Sequence, residues 1–199
     1  MSDSPMYHDG ARRLQDRFQT RALADRLVEV TVHTEFTEAD RALIERSTMF
    51  FLATADEHGR PDCSFKGGLP GFVRVVDPRT VAFPSYDGNG MFRSLGNVLV
   101  NPAVGLLFID FERPRRVRVN GTATLHEDDP LLAEFAGAQL VVRVRADRIF
   151  PNCPRYIPTM RLEAPSPYAP APGCTPPIPE WKTRPVFNEV LPPNDPARA

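Results

Sequence analysis

Fourteen of the chain's 22 prolines crowd into the last quarter of its 199 residues, between Pro151 and Pro196. Proline has no backbone N–H and holds φ near about −65°, so this stretch cannot form a regular helix or a central strand. The regular structure must therefore lie before residue 150. A segment this rich in proline is either disordered or an extended strap on a folded surface. Tyr156, Ile157, Ile178, Trp181, Val186, Phe187 and Leu191 favour the strap, because a disordered linker rarely carries so many apolar side chains.

Upstream, the pattern divides in two. Residues 11–30 set Leu14, Phe18, Leu23 and Leu27 near helical spacing, which predicts an amphipathic helix with a break near Gln19–Thr20. Residues 37–46 predict a second helix, capped by Thr37 with Asp40 three residues on, and with Ala39, Leu43 and Ile44 facing inward. From Met49 the period becomes that of strands: 49–55, 62–66, 72–76, 80–84, 104–111, 116–125 and 140–149. Short helices are expected near 91–100 and 129–137. Strands at this rhythm, separated by GGLPG, DPR and ERPR, suggest an antiparallel barrel or sandwich rather than alternating βα units. The expected organisation is an N-terminal helical segment (1–47) packed on a barrel (48–150), followed by a proline-rich extended tail (151–199).

The bulk properties narrow the function. A formal charge of −1 gives no reason to expect nucleic acid or an acidic membrane surface. No apolar run approaches the roughly 20 residues that span a bilayer, and the polar start MSDSPMYHDGARRLQDR lacks a secretory signal's apolar stretch. A cytoplasmic location is the default. Cys63, Cys153 and Cys174 are too few and too widely spaced for a disulfide framework. With the four histidines they make no zinc-binding spacing, so no metal is expected.

Four stretches could carry chemistry. In DCSFKGG (62–68), Asp62, Ser64 and Lys66 share one strand face and Cys63 and Phe65 the other. A lysine before two glycines suits a phosphate seat, and equally a solvated face closed by a turn. In FPSYDGNGMFRSLGNVLVNP (83–102) a glycine-rich loop enters a helix with Arg93 and Ser94 in its first turn. That arrangement can hold phosphate, or can be an ordinary capped helix ended by NP. In RPRRVRVNG (113–121), Arg116 and Arg118 alternate with Val117 and Val119, giving a strand with one basic face. Such a face is ligand-facing or salt-bridged rather than a nucleic-acid surface. In FPNCPRYIP (150–158), Cys153 has no local His or Asn partner and reads as a buried or cleft-lining thiol rather than a nucleophile. Walker and Rossmann glycine patterns and GxSxG are absent.

The order of these pieces resembles the pyridoxamine 5'-phosphate oxidase-like flavoproteins. FFLATADEHGRPDCSFKGG is similar to that family's opening strand pair. GNGMFRSLGNVLVNPAVGLLFIDF resembles its loop, helix and NP signature, and RVRVNGTATL resembles its strand ending in "hxGxA". The resemblance covers about residues 40–150 and implies an FMN-binding split β-barrel, working as a homodimer with FMN at the subunit interface. It places Cys63 and Ser64 near the flavin ring, Lys66 at the basic strand end, and Pro84 and Ser85 at the strand end that meets the cofactor. Arg93 and Ser94 fall at the phosphate positions. Arg116 reaches the flavin, near its N1, with Arg118 beside it. Asn89 and Asn97 belong to the GN…N pattern of a closer subfamily.

Two departures separate the chain from the true pyridoxamine phosphate oxidases. Pro61 stands where those enzymes usually place an arginine, and the tail PIPEWKTRPVFNEV lacks their arginine-histidine substrate segment. The resemblance thus implies FMN-dependent two-electron transfer with an unidentified small molecule, in a pocket roofed by the other subunit's tail. No catalytic side chain is assigned. Two alternatives remain: a non-catalytic flavin- or haem-binding sensor or storage module on the same barrel, and a structural role without cofactor.

Overall fold

Alternating burial along several of the strands explains the sheet. In the computed structural model, which describes residues 6–198, seven strands form: β1 Met49–Ala55, β2 Pro61–Gly67, β3 Arg74–Asp77, β4 Thr80–Tyr86, β5 Ala103–Asp110, β6 Arg115–His126 and β7 Ala138–Pro151. They join in one sheet of order β2-β1-β5-β6-β7-β4-β3, with every neighbouring pair antiparallel. Phe50, Leu52 and Thr54 of β1 point inward, as do Val117, Val119 and Ala123 of β6, while Arg118 and Asn120 point out.

The sheet curls until its far members touch. Phe50 of β1 lies 4.9 Å, centroid to centroid, from Phe83 of β4, although three strands separate them in the order. Phe108 of β5 and Phe72, just before β3, complete an aromatic centre around Phe50 at 5.0 and 5.9 Å. All four rings are buried in one core cluster fed by six of the strands. Truncating such a ring to alanine typically costs about 3–5 kcal/mol. The architecture is a split β-barrel.

One glycine permits the closure of β6 on β7. The register slips between Asn120 and Gly121, and a Cβ at Gly121 would collide with the Arg145 carbonyl oxygen and the Ala146 Cα. No other residue fits that close approach of two backbones.

The helices differ in how they are held. α1 (Asp9–Arg17) and α2 (Arg21–Thr31) are separated where Gln19 takes a left-handed φ of 56°. Neither buries a residue. The stripe of Leu14, Phe18, Leu23 and Leu27 faces outward, each 48–67% exposed, so the inward face expected of this segment is uncovered in the single chain. Its tie to the barrel is a bridge between His33 and Ile149. α3 (Glu38–Arg46) forms the full capping box of Thr37 and Asp40, and it buries Leu43 and Ile44. Ala39, expected inside, is exposed. The buried position is Asp40, whose carboxylate accepts from the Thr37 N–H and hydroxyl and lies 2.8 Å from the His33 ring. α4 spans Arg93–Val100. The helix expected over 129–137 is a single 3-10 turn, Pro130–Glu134, capped by Asp129. Arg143 hydrogen-bonds the Asp129 carboxylate twice and holds its pKa below the ordinary range.

Beyond Pro151 the chain is largely extended. Among the described residues its helices are a 3-10 turn, Glu180–Thr183, and the one-turn helix α5, Pro185–Asn188. No helix among the described residues is long and apolar enough to cross a membrane.

Candidate functional site

Alternation on β2 aims Asp62, Ser64 and Lys66 at the start of α4. The buried Ser94 hydroxyl donates to Asp62 Oδ2 at 3.3 Å and is hydrogen-bonded to the Ser64 hydroxyl at 2.9 Å. Arg93 Nε reaches Asp62 Oδ1 at 3.5 Å, with most of its side chain in solvent. Phe92, the residue before the helix, is left-handed (φ 47°) and no side chain caps the first turn. The N–H groups of that turn are thus left to a ligand or to water. Just upstream, Asn89 Oδ1 accepts from the Met91 N–H at 3.0 Å and shapes the loop.

A cavity of about 580 Å³ opens over this junction. Its walls are β2 from Asp62 to Lys66, the end of β4 at Ser85 and Tyr86, the loop 87–92, and the first turn of α4. Trp181 and Pro192 of the tail close one side. A second cavity of about 440 Å³ adjoins it, and Lys66, Ser85 and Tyr86 border both. Lys66 is half-buried, and its amine has no hydrogen-bond or ion-pair partner among the described residues. Burial lowers its pKa, and the nearby Asp62 charge partly offsets this. Burial likewise raises the Tyr86 hydroxyl. A half-buried ammonium and uncapped helix N–H groups lining one cavity are groups that can hold an anion.

The structure gathers Cys63, Ser64, Lys66, Ser85, Asn89, Arg93 and Ser94 around the larger cavity. It places three sequence-derived candidates elsewhere. Asn97 turns to the barrel, where its Nδ2 donates to the buried Thr54 Oγ1 at 3.0 Å and ties α4 to β1. Arg116 and Arg118 stand on β6 opposite Ile109 and Leu107, lining neither cavity. The Arg116 Nε is buried without a partner. Cys153, expected in a cleft, is exposed and lines neither cavity.

The structure adds residues that local reasoning did not select. Asp62 sits at the centre of the Arg93–Ser94 contacts. Its place on the Ser64 and Lys66 face was legible, but its partners were not. Lys182 is buried in the tail and bridges Asp87, at 2.6 Å, and Asp195, at 2.7 Å. Asp87 lies at the rim of both cavities. The tail thus walls the cavities of its own chain. Among the described residues no three His, Cys, Asp or Glu side chains cluster as a metal site.

The fold is a split barrel with a cavity between its second strand and an uncapped helix. The family model for pyridoxamine 5'-phosphate oxidase matches residues 36–159, and the chain belongs to that family. Among solved structures, it is similar to a candidate pyridoxamine 5'-phosphate oxidase from Lactobacillus delbrueckii, at 27% identity over 59% of this chain and 95% of that one, TM-score 0.49. An FMN-binding protein from Syntrophomonas wolfei shares 10% identity over 70% of this chain and 97% of that one, TM-score 0.48. The haem storage protein HutZ from Vibrio cholerae shares 17% identity over 58% and 94%, TM-score 0.44. No curated protein matches the sequence.

Proposed function

We propose that the larger cavity binds FMN and that the protein is an FMN-dependent oxidoreductase acting on a small molecule. The observation that carries this reading is the unpartnered Lys66 amine facing the same cavity as Arg93, Ser94 and the uncapped first turn of α4. These groups fit a phosphate monoester: two cations, one hydroxyl and free backbone N–H groups, on rigid elements. The cavity volume of about 580 Å³ lies within the range of ordinary cofactor pockets. Cys63 and Ser64 would flank the ring, and Ser85 and Asn89 the strand end and loop. When bound, FMN supplies two-electron transfer through its N5, and no protein acid or base is assigned to that step.

This chain's own residues position the group and exclude water. Lys66 and Arg93 offset the phosphate charge, Ser94 donates to it, and Trp181 with Pro192 screens one side. None of the four histidines lines either cavity, which favours flavin over a histidine-ligated haem. The working unit in this reading is a homodimer. Arg116 and Arg118 sit outside the cavity of their own chain, where a second copy's site could use them. Met91 and Phe92, on the larger cavity, and Phe65, on the smaller, are 53–63% exposed, and such apolar surface is what an interface covers.

Reconstitution tests it. The protein incubated with FMN and desalted should retain flavin absorption, quench its single tryptophan, Trp181, and elute as a dimer. A colourless protein with unchanged Trp181 emission would refute FMN binding. Reduction of the bound flavin by NADH or NADPH then separates an oxidoreductase from a carrier.

A further inference from the structure

The smaller cavity, of about 440 Å³, adjoins the phosphate seat at Lys66 and is built from two different kinds of wall. On the barrel side stand Met49, Phe65 and Phe72; on the tail side, Leu162, Tyr168 and Pro170. The tail wall is held in place rather than draped. Met160 N–H donates to the Phe111 carbonyl at 3.0 Å, entering the segment. Ser166 accepts from the Tyr168 N–H through its hydroxyl and from the Ala169 N–H through its carbonyl. Pro170 packs over Gly137, where an added Cβ would lie 3.2 Å from the proline ring. Prolines at 165, 167 and 170 remove backbone freedom, so a ligand closing on this wall loses little entropy.

Charge selects the ligand class. Of the ionisable groups at the cavity's border, Asp87 is ion-paired with Lys182, which it shares with Asp195, and Lys66 is taken by the phosphate in the proposed function, on which this inference rests. What remains for a second ligand is aromatic and aliphatic surface with the Ser85 and Tyr86 hydroxyls. A charged molecule would lose its hydration there without a counter-ion. An uncharged aromatic one buries its faces against phenylalanine and proline and keeps a hydrogen bond for one polar substituent. We propose that this cavity is the chamber for the second reactant and that it takes uncharged, ring-containing molecules, selected by the tail segment 162–170.

The test uses the full chain and a neutral naphthalene dye, 6-propionyl-2-dimethylaminonaphthalene, whose emission brightens and shifts to the blue in apolar surroundings. The dye should bind saturably at one per chain, with or without FMN. Leu162→Glu puts a charge on the tail wall at a position 57% exposed, and Ala169→Phe fills the chamber; each should weaken the dye at least tenfold. If one variant does not fold, the other carries the test, with far-ultraviolet circular dichroism and melting midpoint as controls. Equal affinity in a folded variant, displacement of the dye by FMN, or no saturable binding to the parent protein would each overturn the proposal. Failure of FMN to quench Trp181 while the dye still binds would sink the flavin reading alone.

Discussion

The Lys182 amine lies 2.6 Å from a carboxylate oxygen of Asp87, 95 positions earlier in the chain. The contact joins the proline-rich tail to the loop that rims both cavities. Asp195 meets the same amine at 2.7 Å, and Asn188 donates to the Lys182 and Ala197 carbonyls, so the end of the tail folds around this one side chain. Trp181, its neighbour, faces the larger cavity and packs edge-on against Phe187.

Removing the amine leaves the nearly buried Asp195 without its counter-ion. Lys182→Met should therefore release the tail at a local cost of about 3 kcal/mol, typical of a broken buried ion pair. Limited proteolysis should cut within 160–198 much faster than in the parent, while the barrel stays intact. Unchanged protection would mean that the tail is held by other contacts.

The pH dependence follows from the two partners. Burial opposes the Lys182 charge, but its bonds to Asp195 and Asp87 outweigh this and raise its pKa. Its contribution is complete below the ordinary lysine value, about 10.4, and is lost as pH rises through the higher folded value. Asp195 is lowered by Lys182 and by the Ala197 N–H. Its contribution is complete above the ordinary value, about 3.9, and is lost as pH falls through the lower folded one. Trp181 emission should hold steady between these limits and change only outside them. A transition near neutrality would contradict this assignment.

Asp62 holds the Arg93 and Ser94 donors that a phosphate would use. Asp62→Asn keeps hydrogen-bonding capacity at that point and removes a like charge. FMN affinity should rise several-fold by Trp181 titration, most clearly at low salt, where surface charges are least screened. A loss of affinity would make Asp62 a required positioning residue.

Asn97 bonds Thr54 rather than the cavity. Asn97→Ala should cost about 1–2 kcal/mol in urea unfolding, because it strands a buried hydroxyl, and should leave FMN affinity within twofold. A large affinity loss at unchanged stability would return Asn97 to the binding site.

What the sequence disclosed was what local chemistry determines. The capping box of Thr37 and Asp40, the break at Gln19 and the alternation of Val117, Arg118 and Val119 each depend on residues a few positions apart, and all appear as expected. The seven strands were legible for the same reason, with boundaries differing by a few residues. Gly121 shows why a weak motif can be informative: the backbone contact with Arg145 forces the glycine. Long-range pairing was hidden. Nothing near Lys182 announces Asp87, and nothing near Asn97 announces Thr54. The apolar stripe of α1 and α2 predicted a buried face but could not say what covers it. Cys153 is exposed and lines neither cavity, which its neighbours in sequence do not reveal.

The most direct test of the account is FMN titration of Lys66→Ala combined with Arg93→Ala, followed by Trp181 quenching. A charge-assisted contact is worth about 1.5–3 kcal/mol, so the account predicts that the double variant, which loses two, binds FMN at least about a hundredfold more weakly, with its fold unchanged. FMN affinity equal to the parent's would contradict it and place the phosphate elsewhere.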